Sequence, residues 1–144
     1  MRKSTGCSDC VESKAKLAFS VGVLGDTGVG KTALVNQFVQ QTFSEEHEPT
    51  IEDQHSKRII VDEKFRMLEI LDTAGDKQFA HLRELHYKTM EAFLIVFSVT
   101  SKASFIEAIK IYHQIYRARG YEPVPVIIFA NKCDLIQQRQ VSSE

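Results

Sequence analysis

Three short loops concentrate the side chains able to act on a phosphorylated ligand. The first reads Gly25-Asp26-Thr27-Gly28-Val29-Gly30-Lys31-Thr32, followed by Ala33. It is the G-x-x-x-x-G-K-[ST] pattern. Its glycines let successive backbone N–H groups turn inward around phosphate oxygens, at the positive end of a helix. Lys31 then reaches the terminal phosphates, and the Thr32 hydroxyl ligates Mg²⁺. The second loop is Asp72-Thr73-Ala74-Gly75. An Asp at the end of a strand can hold the magnesium shell through water. The Gly75 amide, beside Ala74, can touch a γ-phosphate because no side chain blocks its approach. The third loop is Asn131-Lys132-Cys133-Asp134. Asp134 can accept two hydrogen bonds from guanine, at N1–H and the exocyclic amine. Adenine lacks that donor pair and would leave the carboxylate unpaired, which argues against a kinase or ATPase. Asn131 ties this loop to the first, and the Lys132 stem covers the ring's face.

These loops need a scaffold. Leu17–Leu24 reads as a buried strand running into the first loop. Leu34, Val35, Phe38 and Val39 recur at helical spacing after it. His55–Val61 and Phe65–Leu71 read as two strands joined by a tight turn at Asp62–Lys64. Phe93–Val99 is a continuous apolar run, as expected of a strand covered on both faces. Phe105, Ile106, Ile109, Tyr112 and Tyr116 mark a helix capped by Ser101 and ended by Gly120. Val124–Ala130 is a further apolar strand, with Pro125 tolerable only near its start. The alternation predicts an α/β fold of the P-loop NTPase type. Its sheet is mostly parallel with one antiparallel edge strand, and helices lie on both faces. The three loops then fall together at the carboxyl ends of the strands.

Composition limits the rest. The chain has 144 residues, 43% apolar and 26% charged, with a formal net charge of −1. That balance fits one globular domain and argues against a general nucleic-acid binder. No apolar run approaches the roughly 20 residues of a membrane span. Residues 1–15 lack periodicity and read as a disordered extension, with the domain proper at 16–144. The extension has no secretory pattern, and three cysteines fit a reducing compartment. Cys7 and Cys10 are expected as free thiols, with S-acylation of the tail the sharper alternative. Glycine does not follow Met1, and the final VSSE offers no cysteine for prenylation. The expectation is a cytoplasmic monomer, with contact at the inner face of a membrane left open.

The three motifs, in this order, resemble the Ras family of small GTPases, and the resemblance runs from Lys16 to the end. Glu48-Pro49-Thr50-Ile51-Glu52-Asp53 is similar to that family's effector loop (switch I), closest to the Ras and Rap branch. The likeness implies a switch that binds GTP or GDP with Mg²⁺. Its catalytic set would be Lys31, Thr50, Gly75 and Asp76. Thr50 would join Thr32 and Asp72 at the metal and bond the γ-phosphate, and Phe43 would flank the guanine. Residues 73–90 would be switch II. Effector proteins would bind His47 to His55, and an exchange factor and a GTPase-activating protein would set the nucleotide state.

The chain also departs from the family. Asp76 stands where most relatives carry the Gln that orients the attacking water. An ionised Asp can only accept, and it adds negative charge beside developing negative charge, so slow hydrolysis is expected. Gln78, two residues on, could substitute in principle, but its place in the loop gives it a different direction, which disfavours that role. Thr27 occupies a position that is Gly in Ras itself; its branched side chain would crowd an incoming arginine finger, although other branches of the family tolerate side chains there. His47 and His55 replace tyrosines beside the effector loop and should alter partner choice. The chain ends at Glu144, before the family's last strand and helices, so exposed apolar surface is expected. Two other readings compete. One is a GTP-loaded recruiter of effectors that does not hydrolyse. The other is a truncated product with weak nucleotide retention.

Overall fold

In the computed structural model, residues 17–42, 50–75 and 80–142 are described. Phe43, His47, Glu48, Pro49, Asp76, Gln78 and the Cys7/Cys10 pair therefore lie outside the described residues. The chain runs β1 (Ala18–Gly25), α1 (Lys31–Gln40), β2 (Glu52–Val61), β3 (Lys64–Thr73), α2 (Ala80–Thr89), β4 (Ala92–Ser98), α3 (Lys102–Ala118) and β5 (Val126–Asn131). The sheet order is β2-β3-β1-β4-β5. β1 is parallel to β3 and β4, and β4 is parallel to β5. Only β2 runs antiparallel, paired with β3 from Glu52↔Thr73 to Val61↔Lys64. The expected architecture is present.

Each element has a local cause. Asp62 and Glu63 turn the β2–β3 hairpin with φ of 50° and 61°, the left-handed pair that matches strand twist in a two-residue loop. Ser101 caps α3, its side chain accepting from the Ser104 N–H at 3.2 Å. Gly120, at φ 62°, ends that helix. Pro125 precedes β5, and its carbonyl accepts from the Phe93 N–H at 2.9 Å. A core lies on each sheet face. Val23, Val29, Val35, Ile70 and Val96 form the one under α1. Leu24, Tyr87, Phe93, Ile95, Ile111 and Ile115 belong to the other, against α2 and α3. Ile111 and Ile115 are fully buried, each contributing roughly 1.5–3 kcal/mol of transfer free energy.

Two expectations need correction. β1 is buried only in its second half. Leu17 is 71% exposed and Phe19 39%, because none of the described helices reaches that end of the strand. β5 stands at the edge of the sheet, with Ile127 64% exposed, in line with the exposed apolar surface that was expected. The helix Ala80–Thr89 was not expected. Its apolar residues do not share one face, and Leu85 is 57% exposed. Its far end is fixed from a distance, since Arg119 Nη1 donates to the carbonyls of Tyr87 and Met90 at 3.0 Å each. No helix among the described residues is long and apolar enough to cross a membrane.

Candidate functional site

The three loops meet where β1, β3 and β5 end. β1 stops at Gly25 and the chain loops to Gly30, the cap of α1. Gly30 sits at φ 97°, and a Cβ there would run into Asn131 Nδ2. Glycine is therefore required twice over, by conformation and by the approach of the third loop. No described side chain caps α1, which leaves its first N–H groups to be satisfied by water or an anion. Val29 anchors the loop from below at 2% exposure, while Asp26 and Thr27 stay on the surface side, with the Thr27 N–H bonded to Asp26 Oδ1 at 2.9 Å.

Lys31 is buried and folds back under the loop. Its Nζ donates to Asp26 O at 2.8 Å and Gly25 O at 3.2 Å. Burial lowers its pKa, and the carboxylates of Asp72 and Asp26 oppose that shift. The next side chain, Thr32, is bonded twice through its hydroxyl. It donates to Asp72 Oδ2 at 2.6 Å and lies 2.8 Å from Thr50 Oγ1. Asp72 is fully buried, and its Oδ1 has no hydrogen-bond partner among the described residues. Burial raises its carboxyl pKa, opposed first by the Thr32 hydroxyl and then by the Lys31 charge. Burial thus disfavours the charged form of both groups, in a place where a cation beside Asp72 and an anion beside Lys31 would restore both.

The other predicted residues fall around this centre. Ala74 donates its N–H to Ile51 O at 3.0 Å, joining the second loop to the start of β2 beside Thr50. Gly75 packs so closely on the backbone of Asp26 and Thr27 that no side chain fits. Ala33 sits in the first turn of α1. The third loop is tied across to the first. Asn131 Nδ2 donates to Val29 O at 2.9 Å and Lys132 Nζ to Gly28 O at 2.7 Å. Asp134 stands exposed two residues further on.

Some supporting residues were not anticipated. Thr73 Oγ1 donates to Val23 O at 2.8 Å, locking the end of β3 to β1 inside the core. On the other face, His86 Nε2 lies 3.4 Å from Glu52 Oε2, linking α2 to the start of β2. They border a cavity of about 170 Å³ shared with Ser20, Gln54, Glu69 and Met90. Both contacts join residues far apart in sequence, so no local pattern announces them.

A glycine-rich loop opening a helix on this mostly parallel sheet defines the P-loop class of nucleotide-binding domains. A sequence model described as Ras family matches residues 20–144. Ras-like protein 1 of Saccharomyces cerevisiae is 45% identical over 126 residues. The match covers 88% of this chain and 41% of that relative, so the chain spans less than half the length of the curated protein it matches. The chain belongs to the Ras family of small GTPases.

Proposed function

We propose that this chain is a guanine-nucleotide switch that holds GTP or GDP with Mg²⁺ and hydrolyses GTP slowly. The observation that carries the reading is the Thr32–Asp72–Thr50 cluster beside Lys31, at the head of α1. Its donor set is two hydroxyls and one carboxylate, with Asp72 Oδ1 buried and without a partner among the described residues. That suits a hard cation which keeps waters and takes its remaining ligands from phosphate. Thr32, Thr50 and Asp72 would hold Mg²⁺, which when bound neutralises charge on the phosphate oxygens.

The chain's own groups do the rest. Lys31 places a positive charge at the terminal phosphates, and the amides from Asp26 to Ala33 bind their oxygens. Gly75 offers its N–H toward the γ-phosphate. Water attacks in line, and positioning with electrostatic stabilisation supplies most of the catalysis. Asp134 selects guanine, with Asn131 and Lys132 holding its loop and Phe43 flanking the ring. Thr50 binds only when a γ-phosphate is present, so residues 47–55 would signal to effector proteins. An exchange factor and a GTPase-activating protein would drive the cycle. Residues 16–144 act as the nucleotide-binding domain.

Asp76 makes hydrolysis slow, because a carboxylate there repels the charge that develops on the γ-phosphate. Nucleotide released on denaturing freshly purified protein should be near-stoichiometric GDP. In single-turnover assays, Asp76→Gln should hydrolyse GTP about tenfold faster, the size of one positioning hydrogen bond. Mostly GTP in the purified protein, with no gain in the variant, would favour the non-hydrolysing recruiter. Protein carrying no nucleotide would sink the switch reading for this chain.

A further inference from the structure

The contact that joins α2 to the start of β2 includes a group whose charge can change. His86 stands in the last turn of α2, its side chain only 12% exposed. Its Nε2 lies 3.4 Å from Glu52 Oε2, yet that nitrogen is buried and has no hydrogen-bond partner among the described residues. The two side chains therefore face each other without a directed bond between them. Glu52 keeps contact with water, at 35% exposure.

The charged groups that the sheet presents to His86 are all acidic. Glu52 comes from β2 and Glu69 from β3, on the walls of the cavity that Ser20, Gln54 and Met90 help to line. Glu91 stands behind Ser20, accepting from its N–H at 2.9 Å and its hydroxyl at 3.4 Å. No lysine or arginine is among the described residues that line this cavity. On α2 itself, Glu84 and Lys88 pair with each other at 3.2 Å on the exposed side. Arg83 is buried one turn before His86, where its charge acts on Lys31 and Tyr87. A proton on His86 thus meets two carboxylates across the cavity, with Arg83 the nearest cation along the helix.

We propose that protonation of His86 is a latch that fastens α2 to the start of β2. Histidine is the side chain whose charge changes between about pH 5 and 8. Neutral, His86 fills its place against the sheet without pairing to Glu52. Cationic, it pairs with Glu52, is held as well by Glu69, and draws the Glu52 carboxylate against α2. The tie is therefore present at low pH and lost as pH rises. The latch itself depends on neither the bound nucleotide nor its hydrolysis. Its reach to effector proteins, which would find Glu52 withdrawn on acidification, rests on the function proposed above.

The test is amide hydrogen exchange of the full chain at about pH 6 and about pH 8, bracketing the histidine range. Rates are read as protection relative to an unstructured chain, so that the intrinsic pH dependence cancels. Protection of α2 should be about threefold higher at the lower pH, the size of one partly exposed ion pair, while α3 is unchanged. His86→Gln, uncharged at either pH, should lose the difference. Glu52→Gln should shrink it, and Glu69→Gln should shrink it less. Circular dichroism checks that each variant is folded, and if His86→Gln does not fold, Glu52→Gln decides. An α2 indifferent to pH in the parent overturns the proposal. So does a difference that survives in folded His86→Gln, or stands undiminished in Glu52→Gln. An equal gain in α3 overturns it too, because the effect would then belong to the stability of the whole domain.

Discussion

The two ends of the proposed nucleotide site are built to opposite rules. Around the phosphates, Asp72 is fully buried, Thr73 is 5% exposed and Lys31 6%. They are cross-linked by short bonds among Thr32, Thr50 and Asp72 and from Lys31 to two carbonyls. At the proposed base end, Cys133 and Asp134 are exposed and, among the described residues of that loop, only Asn131 and Lys132 reach back to the first loop. The difference fits what each end would recognise under the proposed function. Phosphate and metal charge is held best by groups already stripped of water and fixed in place. Base recognition is a choice between two ligands. An exposed Asp134 is solvated until a ring covers it, and only then does an absent donor cost free energy.

If that contrast is right, variants at the two ends should fail differently. Lys31→Ala should produce the largest effect, weakening GTP and GDP alike by about a thousandfold, as expected for breaking a buried charge pairing. Titration calorimetry with both nucleotides measures it. A loss confined to GTP would show that Lys31 serves only the γ-phosphate. Asp134→Ala should cost about a hundredfold in affinity for GDP while leaving ADP unchanged, so the ratio of the two constants collapses. An equal loss for ADP would mean that Asp134 holds the loop together and does not read the base.

The same contrast explains what could be read from the chain. The phosphate end is made of consecutive residues, Gly25 to Ala33, whose identities are dictated by backbone geometry at φ values few residues tolerate. Such constraints are local and survive in sequence. The strand–helix alternation was legible for a similar reason, since β4 is buried on both faces and reads as one apolar run. α2 was not legible, because pinning by Arg119 and burial of Tyr87, far apart in sequence, hold it in place of a regular apolar stripe. The bare first half of β1 was misjudged because Leu17 and Phe19 are as apolar as the buried Val23 and Leu24, and composition does not say where a covering helix stops. The Thr73–Val23 lock and the His86–Glu52 contact depend on strand register, which no motif states.

The link between the two ends offers a smaller lever. Asn131→Ala removes the bond to Val29 O and opens space beside Gly30. Release of a fluorescent GDP analogue should speed up about tenfold, the worth of one such bond, with little change in the ratio of GDP to ADP affinity. If release is unaltered, the two ends are independent and the tie is only a packing contact.

The smallest effect should come from Asp72 and should reverse with its ligands. Burial raises this carboxyl pKa above its value in the unfolded chain, about 3.9, despite the Thr32 hydrogen bond and the Lys31 charge. Between those two values the folded chain binds more protons than the unfolded one. Without metal or nucleotide, the group therefore favours folding at low pH, and that contribution is lost as pH rises through the window. At neutral pH the lone ionised carboxylate is a burden, so Asp72→Asn should melt a few degrees higher than the parent in the presence of a chelator. With millimolar Mg²⁺ and GDP the order should reverse, because the cation binds only the ionised group and lends its binding free energy to the parent. Mg²⁺ affinity of the parent should weaken on acidification, beginning above the ordinary carboxylate range, and the variant should show no such dependence. A variant that melts lower under both conditions would mean that Asp72 serves the fold through Thr32, and that the buried end of the site is not waiting for a metal.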